Sequence, residues 1–517
     1  MSLAIVHSRA QLGITSPAVT VEVHLSGGLP GLAIVGLPET AVKESKERVR
    51  SALIHAGFDF PQRRITVNLA PADLPKEGGR YDLAIALGIL QASGQLKSTC
   101  LDQHEVVAEL ALSGEIRAIR GALPVSLACG QAGRTLIVPA ANADEATLLG
   151  DTPVIAVAHL LDVCAYLSGK TRMEYHQPTV TGLTVPAMAD LVDVKGQYQA
   201  RRALEVAAAG QLNLLFSGPP GSGKSLLAAC LPGILPPLTL AERLEVASVH
   251  SLVGLPVQAC CQGQRPFRAV HHTASAVALV GGGSNHPRPG EISLATQGVL
   301  FLDEMPEFPR RVLDLLREPM ETGKILISRA ISKVEYPAAF QLVGAMNPCP
   351  CGYYQDGTDR CLCSPDQIRR YQGRVSGPLL DRIDLQLWVS ALPANTLLQP
   401  AEPAESSAQV RERVAAARQR QQQRQGYSNR YLQGRALDVH CELNPETRSL
   451  LLRAMQRLHV SARGCHRILR VARTLADLDA DTDIQQHHLL EALAFRGLAV
   501  QRGLPATAEM PPAAPDD

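Results

Sequence analysis

The sequence predicts an α/β protein, and three observations lead to this fold class. Short apolar segments typical of buried strands alternate with helical segments over residues 1–170. A glycine-rich loop within 213–225 stands between an apolar run and an apolar helix. The run VLFLDE at 299–304 ends in two carboxylates. Because open α/β sheets bind ligands at the carboxyl ends of their strands, we expect a ligand site where these runs end.

Length and charge limit the possible architectures. A chain of 517 residues is long enough for about three domains, each with its own core. With 46% hydrophobic and only 4% aromatic residues, these cores are expected to consist of Ala, Leu, Val and Ile. The net charge of +1 excludes a basic coat for nucleic acid, so a contact with nucleic acid must use a local patch.

Nothing in the sequence predicts secretion or a membrane span. The start, MSLAIVHSRAQLG, lacks the charged and then apolar segments of a signal peptide. No window approaches about 18 uninterrupted apolar residues. Apart from a group at 349–363, the cysteines are scattered, which is typical of reduced thiols. We therefore expect a cytoplasmic protein that does not bind membranes.

The first 170 residues show the α/β pattern most clearly. VTVEVHL at 19–25 alternates as a strand does, and LAIVGL at 32–37 is typical of a buried strand. The segment 41–57 has the period of an amphipathic helix that stops at Gly57. Further apolar segments continue the pattern at 64–72, 82–90, 105–112, 135–140 and 153–160. Composition alone assigns no chemistry to this region.

The stretch Asn213–Ser225, NLLFSGPPGSGKS, predicts a nucleotide site. It fits G-x-x-x-x-G-K-[ST] with a strand before it and a helix after it. The backbone N–H groups of such a loop surround phosphates, and the helix N-terminus adds its positive end. Lys224 is expected to reach the β- and γ-phosphates of ATP, and Ser225 to hold Mg²⁺. The predicted loop residues are Gly218, Pro219, Pro220, Gly221, Ser222 and Gly223.

Three further side chains are candidates for hydrolysis. After the strand 299–302, Asp303 is placed to orient Mg²⁺ and Glu304 to take a proton from the attacking water. Asn347, at the end of the apolar strand 341–346, is suited to hold that water, although an Asn-Pro turn is the alternative. Between these strands and the glycine-rich loop, the long Gly/His-rich stretch 262–298 is typical of functional or mobile connections.

Arg382 and a cysteine group are more ambiguous. Arg382 could reach the γ-phosphate of a neighbouring subunit, or it could pair within the chain with Asp381 or Asp384. The cysteines form two close pairs, C-P-C and C-L-C, which could hold one tetrahedral Zn²⁺. Each gap holds one residue rather than the usual two to four, so free thiols and a disulfide remain as alternatives to a zinc site. The four are Cys349, Cys351, Cys361 and Cys363.

Two families resemble this sequence. The stretches PKEGGRYDLAIAL (75–87) and SGEIRAIRGALPVSLACGQAG (113–133) resemble the segments that carry the serine and lysine of Lon-type proteases. The serine position falls on Arg80 and the lysine position on Pro124, and neither can supply that chemistry. The resemblance thus implies a Lon-protease-like (S5 domain 2-like) fold without the protease, with a role in subunit contact or substrate guidance.

The nucleotide motifs resemble those of AAA+ ATPases. The strings RAVHHTASAVALVGGG, PGEISLATQGVLFLDEMPEF, MNPCPCGYY and SGPLLDRIDL resemble the magnesium-chelatase-like branch, and nearly the entire chain resembles the ComM/YifB family. In this family Asn347 corresponds to sensor 1. The helix 462–478 resembles the sensor 2 helix, with Arg463 as first and Arg470 as second candidate, although arginines on helices most often face solvent.

The resemblance also divides the chain and implies a function. We expect a Lon-like domain at 1–170, a linker at 171–196, an AAA+ core at 197–399, a Pro/Ser linker at 400–408, a helical lid at 409–502 and a disordered tail at 503–517. The family implies a homo-hexameric motor that translocates on single-stranded or branched DNA, together with recombination proteins, and promotes branch migration during natural transformation.

One segment fits a DNA motor. Residues 321–338 contain strand-like ILIS and KVEY around a turn, and they resemble the hairpin before sensor 1 in helicases of this branch. Arg329 and Lys333 would then hold phosphates in a central pore, although an ordinary charged hairpin tip is the alternative. Competing functions are the ATPase subunit of a metal chelatase, a protein-remodelling machine, and an ATP-dependent protease, the last disfavoured by Arg80 and Pro124.

Overall fold

The computed structural model describes residues 3–36, 40–178, 188–283, 287–328, 333–393, 404–458 and 460–496. Several predicted features lie outside these residues: the tail 503–517, Arg329, and parts of the two linkers. Among the described helices, none combines the length and the apolar character that crossing a membrane would need.

Residues 3–178 form a mixed sheet with helices, as the predicted α/β class requires. Alternation explains β2, in which Val19, Val21 and Val23 are buried and their neighbours are not. The apolar segment 82–90 is a helix, and it is buried on nearly all sides against the first two strands. The strands are β1 (Leu3–Arg9), β2 (Ala18–Ser26), β3 (Gly31–Val35), β4 (Arg64–Ala70), β5 (His104–Val106), β6 (Glu109–Leu110), β7 (Ile116–Arg117), β8 (Thr135–Pro139) and β9 (Val154–Val157). The helices are α1 (Thr40–His55), α2 (Asp82–Ala92), α3 (Ala122–Gln131), α4 (Ala140–Thr147) and α5 (Leu160–Leu167).

The order of this first sheet is β3-β4-β2-β1-β5-β8-β9. β1, β2 and β4 pair antiparallel, whereas β3 pairs parallel with β4, and β5, β8 and β9 continue from β1 in parallel. β6 and β7 form a separate short hairpin. We call residues 3–178 the N-terminal unit below.

A second sheet, built by residues 214–388, is parallel throughout. Its order is β11-β14-β17-β10-β18, so the strand before the glycine-rich loop lies in the interior of the sheet. The strands of the segment 188–393, including two small hairpins, are β10 (Leu214–Ser217), β11 (Phe267–Val270), β12 (Gly281–Gly282), β13 (Arg288–Pro289), β14 (Val299–Leu302), β15 (Lys324–Ser328), β16 (Lys333–Pro337), β17 (Gln341–Met346) and β18 (Leu385–Trp388). The helices are α6 (Tyr198–Gly210), α7 (Lys224–Ile234), α8 (Leu240–Val253), α9 (Gln258–Cys261), α10 (Ala276–Val280), α11 (Glu291–Leu294), α12 (Arg310–Asp314), α13 (Arg317–Thr322), α14 (Pro365–Gln372) and α15 (Gly377–Leu380). We call this segment the parallel-sheet unit.

Residues 404–496 are helical where they are described. Ser406 caps the first helix by accepting from the N–H of Gln409, which places the helix start two residues before the predicted module. The apolar residues Val410, Val414 and Ala417 of that helix pack into the core of the parallel-sheet unit. The helices are α16 (Ser407–Gln425), α17 (Gly434–His440), α18 (Pro445–Leu458), α19 (Ala462–Leu478) and α20 (Gln486–Ala494).

An apolar contact joins the N-terminal unit to the parallel-sheet unit. Leu123 of α3 is buried in one cluster with Val246 and Ala247 of α8. Beside it, the N–H of Gly121 donates to the carbonyl of Ser251 at 3.1 Å, and the Ser251 hydroxyl donates to the carboxylate of Glu145. Buried apolar area and satisfied polar groups together fix how the two units dock.

A buried histidine makes the stability of the parallel-sheet unit pH-dependent. His250 of α8 hydrogen-bonds through Nε2 to the carbonyl of Leu294 at 3.0 Å, and burial lowers the pKa of its imidazole below 6.5. The unfolded chain therefore binds more protons than the folded chain as the pH falls from 6.5 toward the folded pKa, and stability is lost in that window.

We predict that His250→Gln reduces this acid sensitivity, because glutamine can donate the same hydrogen bond without titrating. Between pH 7 and 5, the free energy of unfolding of the parent should fall more steeply than that of the variant, by at most about 1.4 kcal/mol per pH unit. Urea unfolding followed by the fluorescence of Trp388, the chain's only tryptophan, measures both. The same change at exposed His55 is the control, and equal slopes for parent and His250→Gln would contradict the prediction.

Candidate functional site

Three strands bring the predicted site residues to one edge of the parallel sheet. β17 pairs in parallel with β10 on one side and with β14 on the other, and Gly344 lies opposite both Leu215 and Leu302. The three strands therefore end side by side. Gly218, Asp303 and Asn347 follow those ends, as expected for a ligand crevice in an open sheet.

The glycine-rich loop has the backbone that its sequence requires. Gly221 and Gly223 have φ angles of 76° and 89°, a region that favours glycine. Gly223 leads directly into α7, so the N-terminal N–H groups of this helix point toward the loop. At Gly218, a Cβ atom would collide with the carbonyl of Val389 after β18, which excludes any larger residue there.

Lys224 lies within this loop. Its Nζ donates to the carbonyls of Gly218 and Pro219, both at 2.8 Å, and to Oδ1 of Asn347 at 3.3 Å. Desolvation lowers the pKa of the ammonium to about 8, against weaker stabilisation by Asp303 and Glu304. A cation that is held by neutral carbonyls and is removed from water is suited to receive an anion.

Ser225 and the two carboxylates stand beside the lysine. The Ser225 hydroxyl donates to Oδ2 of Asp303 at 2.8 Å, and the N–H of Glu304 donates to Oδ1 of Asp303 at 2.9 Å. Glu304 has a φ of 50°, a strained value for a residue that is not glycine, and such strain is common at functional sites. A hydroxyl and a carboxylate oxygen in contact form a donor set that fits Mg²⁺.

A histidine that the sequence did not single out contacts Glu304. Nδ1 of His272 lies 3.2 Å from Oε2 of Glu304, and the ring of His271 lies against that of His272 with centroids 4.1 Å apart. Both histidines lie in the Gly/His-rich stretch 262–298, just after β11. Position in an irregular stretch was the only signal that could have identified them, because the contact depends on how that loop folds.

Arg382 pairs within the chain, but not with either expected aspartate. Its Nη2 lies 2.6 Å from Oε1 of Glu321 and its Nη1 donates to the carbonyl of Pro378 at 2.7 Å. The expected partner Asp384 instead contacts Nη1 of Arg467 at 2.6 Å. The predicted partner of Arg382 was therefore wrong, although the arginine does pair within the chain. The side chain of Arg382 is 9% exposed and that of Glu321 is 55% exposed, so the arginine is largely buried and its carboxylate partner faces solvent.

The two candidate arginines of α19 lie apart from these contacts. Arg463 is exposed, and Nε of Arg470 donates to the carbonyl of Leu432 at 2.7 Å, inside the helical region. In the segments that the structure describes, the arginine of α19 that contacts the parallel-sheet unit is Arg467, through Asp384. Asp384 in turn accepts from the N–H of Asn213, at the start of the predicted nucleotide stretch.

The predicted hairpin is present. β15 and β16 pair antiparallel, with Ser328 opposite Lys333. Lys333 is exposed at the start of β16, whereas Arg329 lies outside the described residues. Along β16, Val334 and Tyr336 are buried and Lys333 and Glu335 are exposed, so the hairpin has an inner and an outer face.

Comparison with known proteins identifies the family. Models described as magnesium chelatase subunit ChlI match residues 190–397 and 21–142, and the C-terminal ChlI model matches 404–496. The chain is 52% identical to "Competence protein ComM" of Haemophilus influenzae over 96% of this chain and 98% of that protein. It is 50% identical to YifB of Escherichia coli, again over 96% and 98%.

The chain therefore belongs to the ComM/YifB family of magnesium-chelatase-like proteins. The relation to a magnesium chelatase is more distant. The 38 kDa magnesium-chelatase subunit of Rhodobacter capsulatus is 25% identical over 33% of this chain and 54% of that subunit. Membership implies ATPase activity with Mg²⁺, and the contact of Lys224 with the loop and that of Ser225 with Asp303 fit both ligands.

The four cysteines predicted as a group lie together in this member of the ComM/YifB family. Their sulfurs all lie within 4.8 Å of one another. Sγ of Cys349 is 3.3 Å from that of Cys351 and 3.8 Å from that of Cys361, and the last two are 3.7 Å apart. Hydrogen bonding from the backbone of Tyr353 and from the neighbouring thiols lowers the pKa of Cys351 to about 6.

The loop that carries these cysteines touches the glycine-rich loop. At Gly352, which has a φ of 87°, an added Cβ would lie 2.7 Å from Cδ of Pro220 and 3.9 Å from Cγ of Asn347. Gln372 of α14 donates to the carbonyl of Pro348 at 2.8 Å and anchors the start of the same loop. The position of the cysteine loop and the shape of the nucleotide site are therefore linked by direct packing.

Proposed function

We propose that this chain is the subunit of a hexameric, ATP-hydrolysing DNA motor that promotes branch migration when incoming DNA recombines during natural transformation. The observation that carries the ATPase part is the contact between Ser225 and Asp303 beside Lys224. The DNA part is supported by 52% identity, over nearly the full length, to a protein named for competence.

The site residues divide the work of hydrolysis. The N–H groups of the loop and Lys224 hold the phosphates of ATP, and Asn347 orients the attacking water. Glu304 accepts the proton of that water. Ser225 and Asp303 hold Mg²⁺, which neutralises phosphate charge when it is bound. Arg463, or else Arg470, reaches the nucleotide from the helical lid when the lid closes.

The hairpin of β15 and β16 is the proposed DNA contact. Lys333 at the start of β16 is exposed, and we assign Arg329 the same role. Lysine and arginine at such a position bind phosphates without reading bases, so the grip is electrostatic and independent of sequence. Single-stranded or branched DNA and recombination proteins are the expected partners.

Other functions have weaker support. A chelatase subunit or a protein-remodelling ATPase would share the nucleotide site, but the chelatase relative aligns with a third of this chain and the ComM relative with 96%. A protease would need a nucleophile at the position of Arg80 and a base at that of Pro124. Arg80 donates to the carbonyl of Arg120, and Pro124 is buried in α3, so we assign the Lon-like N-terminal unit a non-proteolytic role.

The DNA motor is tested by steady-state ATP hydrolysis with no DNA, single strands, duplex and a four-way junction. We expect DNA to stimulate hydrolysis and the four-way junction to be unwound in the same samples. Lys224→Ala should abolish both activities, because the charge that holds the phosphates is lost. Glu304→Gln should bind ATP and lower turnover by about 10²-fold or more, because the base is lost.

If hydrolysis is lost in Lys224→Ala but no DNA changes its rate, the proposed DNA motor is contradicted. The assignment as an ATPase would stand. That outcome would favour a chelatase-like or protein-remodelling function.

We also propose that Arg382 acts on the γ-phosphate of a neighbouring subunit. Its guanidinium is largely buried and is held by the exposed carboxylate of Glu321, from which it can be released to a phosphate. We predict that Arg382→Ala loses turnover by about 10³-fold while ATP affinity is kept. Glu321→Gln is the matched control, because it breaks the ion pair and keeps the arginine.

Comparable turnover in Arg382→Ala and the parent would show that the arginine is not a catalytic finger. An equal loss of turnover in Arg382→Ala and Glu321→Gln would show that the effect comes from breaking the ion pair alone. Mixing Arg382→Ala with Glu304→Gln subunits tests whether the site is shared between chains, since only a shared site regains activity in the mixture.

A structural Zn²⁺ at the cysteine group is the third proposal. Zn–S bonds of about 2.3 Å in a tetrahedron place the sulfurs roughly 3.8 Å apart. The sulfur separations of 3.7 and 3.8 Å at Cys361 match this value, and 3.3 Å between Cys349 and Cys351 is slightly short. Such a metal would fix the loop that packs against Pro220 and Asn347.

We predict about one zinc per chain by elemental analysis of protein purified without added metal. Cys361→Ser should lose the metal and lower the midpoint of thermal unfolding, because three thiolates and a hydroxyl bind zinc poorly. Cys465→Ser, which changes a lone cysteine of α19, is the matched control and should keep the metal. Four reactive thiols and no bound zinc in the parent would contradict the proposal.

A further inference from the structure

The turn that joins β1 to β2 is closed by its own hydrogen bonds. Leu12 and Thr15 exchange backbone hydrogen bonds of 3.0 and 3.1 Å, and the N–H of Ala10 donates to the carbonyl of Pro17 at 2.9 Å. The side-chain amide of Gln11 donates to the carbonyl of Gly13 at 2.7 Å. These bonds make residues 11–15 a preformed projection of the N-terminal unit rather than a loose loop.

This turn packs against the inner face of the hairpin. Leu12 and Ile14 lie on the cluster that contains the buried hairpin residues Ile325, Ile327, Val334 and Tyr336. Gly13 has a φ of 58°, and a Cβ built on it would lie 2.7 Å from Cγ1 of Val334 and 3.5 Å from the carbonyl oxygen of Glu335. Both the backbone and the close approach require glycine.

The inner face of the hairpin has another attachment besides the turn. Tyr336 donates its hydroxyl to the carbonyl of Pro287 at 2.6 Å, which holds one point of the inner face. A cavity of about 800 Å³ opens beside the turn, lined by Gly13, Val334 and Tyr336 together with Arg80 and Glu109 of the N-terminal unit. Next to this cavity the N-terminal unit supports the hairpin through the tip of the turn.

The turn is held in place at its other end. The N-terminal unit docks on α8 through Leu123 and through the hydrogen bond from Gly121 to Ser251. A Cβ at Gly121 would lie 2.5 Å from Oε1 of Gln11, so the turn and the docking point are themselves in contact. A displacement of the turn is therefore resisted from both sides.

We propose that residues 11–15 brace the β15–β16 hairpin and position it for contact with DNA phosphates, with Gly13 as a positioning residue. Neighbouring residues of a strand face opposite sides, so support of Val334 from inside fixes Lys333 on the outer face. This proposal rests on the proposed DNA motor for its consequence, but the contact itself can be tested without DNA. It assigns the N-terminal unit a mechanical role in substrate guidance.

The test compares Gly13→Ala with Gly133→Ala in the full-length protein. Both glycines have positive φ, 58° and 68°, so both alanines carry similar backbone strain, but a Cβ at Gly133 has no atom within 4 Å. The first readout is hydrogen exchange of the amides of β15 and β16. We expect exchange faster by about fivefold or more in Gly13→Ala and unchanged in Gly133→Ala.

The second readout is the stimulation of ATP hydrolysis by DNA. Gly13→Ala should lose most of this stimulation and keep basal hydrolysis, because the atoms nearest to a Cβ at Gly13 belong to the hairpin and not to the nucleotide site. Val334→Ala removes the colliding Cγ1, so the double variant should recover slow exchange and DNA stimulation. If Gly13→Ala does not fold, Ile14→Ala weakens the contact without backbone strain and should loosen the hairpin in the same way.

The outcomes separate this proposal from the proposed function. Equal exchange in Gly13→Ala and Gly133→Ala would overturn the brace. Faster exchange with parental DNA stimulation would overturn its positioning role. If the parent itself shows no DNA stimulation, the DNA motor fails, and the exchange measurement with the Val334→Ala rescue still decides whether the turn braces the hairpin.

Discussion

The parallel pairing of β17 with β10 and β14 is the constraint on which the candidate site depends. Each strand supplies one part of the site at its carboxyl end, and the register that places Gly344 opposite Leu215 and Leu302 brings those ends to the same edge of the sheet. The resulting crevice removes Lys224 from water, and desolvation holds the pKa of its ammonium near 8. A bound phosphate would offset the desolvation of this ammonium, so the energetic cost of burying the lysine favours anion binding.

The same edge carries Glu304, the proposed general base. Glu304 has a left-handed backbone, and its carboxylate contacts His272 from the loop after β11. Lys224 in turn contacts the loop carbonyls and Asn347, so these polar groups have protein partners that lie along the same crevice.

The sequence allowed the fold class and the local parts of the site to be predicted, because they depend on neighbours along the chain. The strand before Gly218, the helix from Lys224, and the carboxylates after β14 follow from periodicity and spacing. The partner of Arg382 could not be predicted, since Glu321 lies 61 residues away (382 − 321 = 61) and the choice against Asp384 depends on Arg467. The contacts of His272 and Gly13 likewise depend on tertiary packing, which spacing does not encode.

Three glycines show why such contacts escape sequence analysis. Gly221 and Gly223 stand in a pattern whose chemistry identifies them, whereas Gly13 stands in an ordinary turn between two strands. All three have positive φ, but only the structure shows that Gly13 meets Val334 from another unit of the chain. The proposed DNA motor needs a support against which its hairpin works. The N-terminal unit docks on α8 through Leu123 and meets the hairpin at Gly13, and these two contacts place it to be that support.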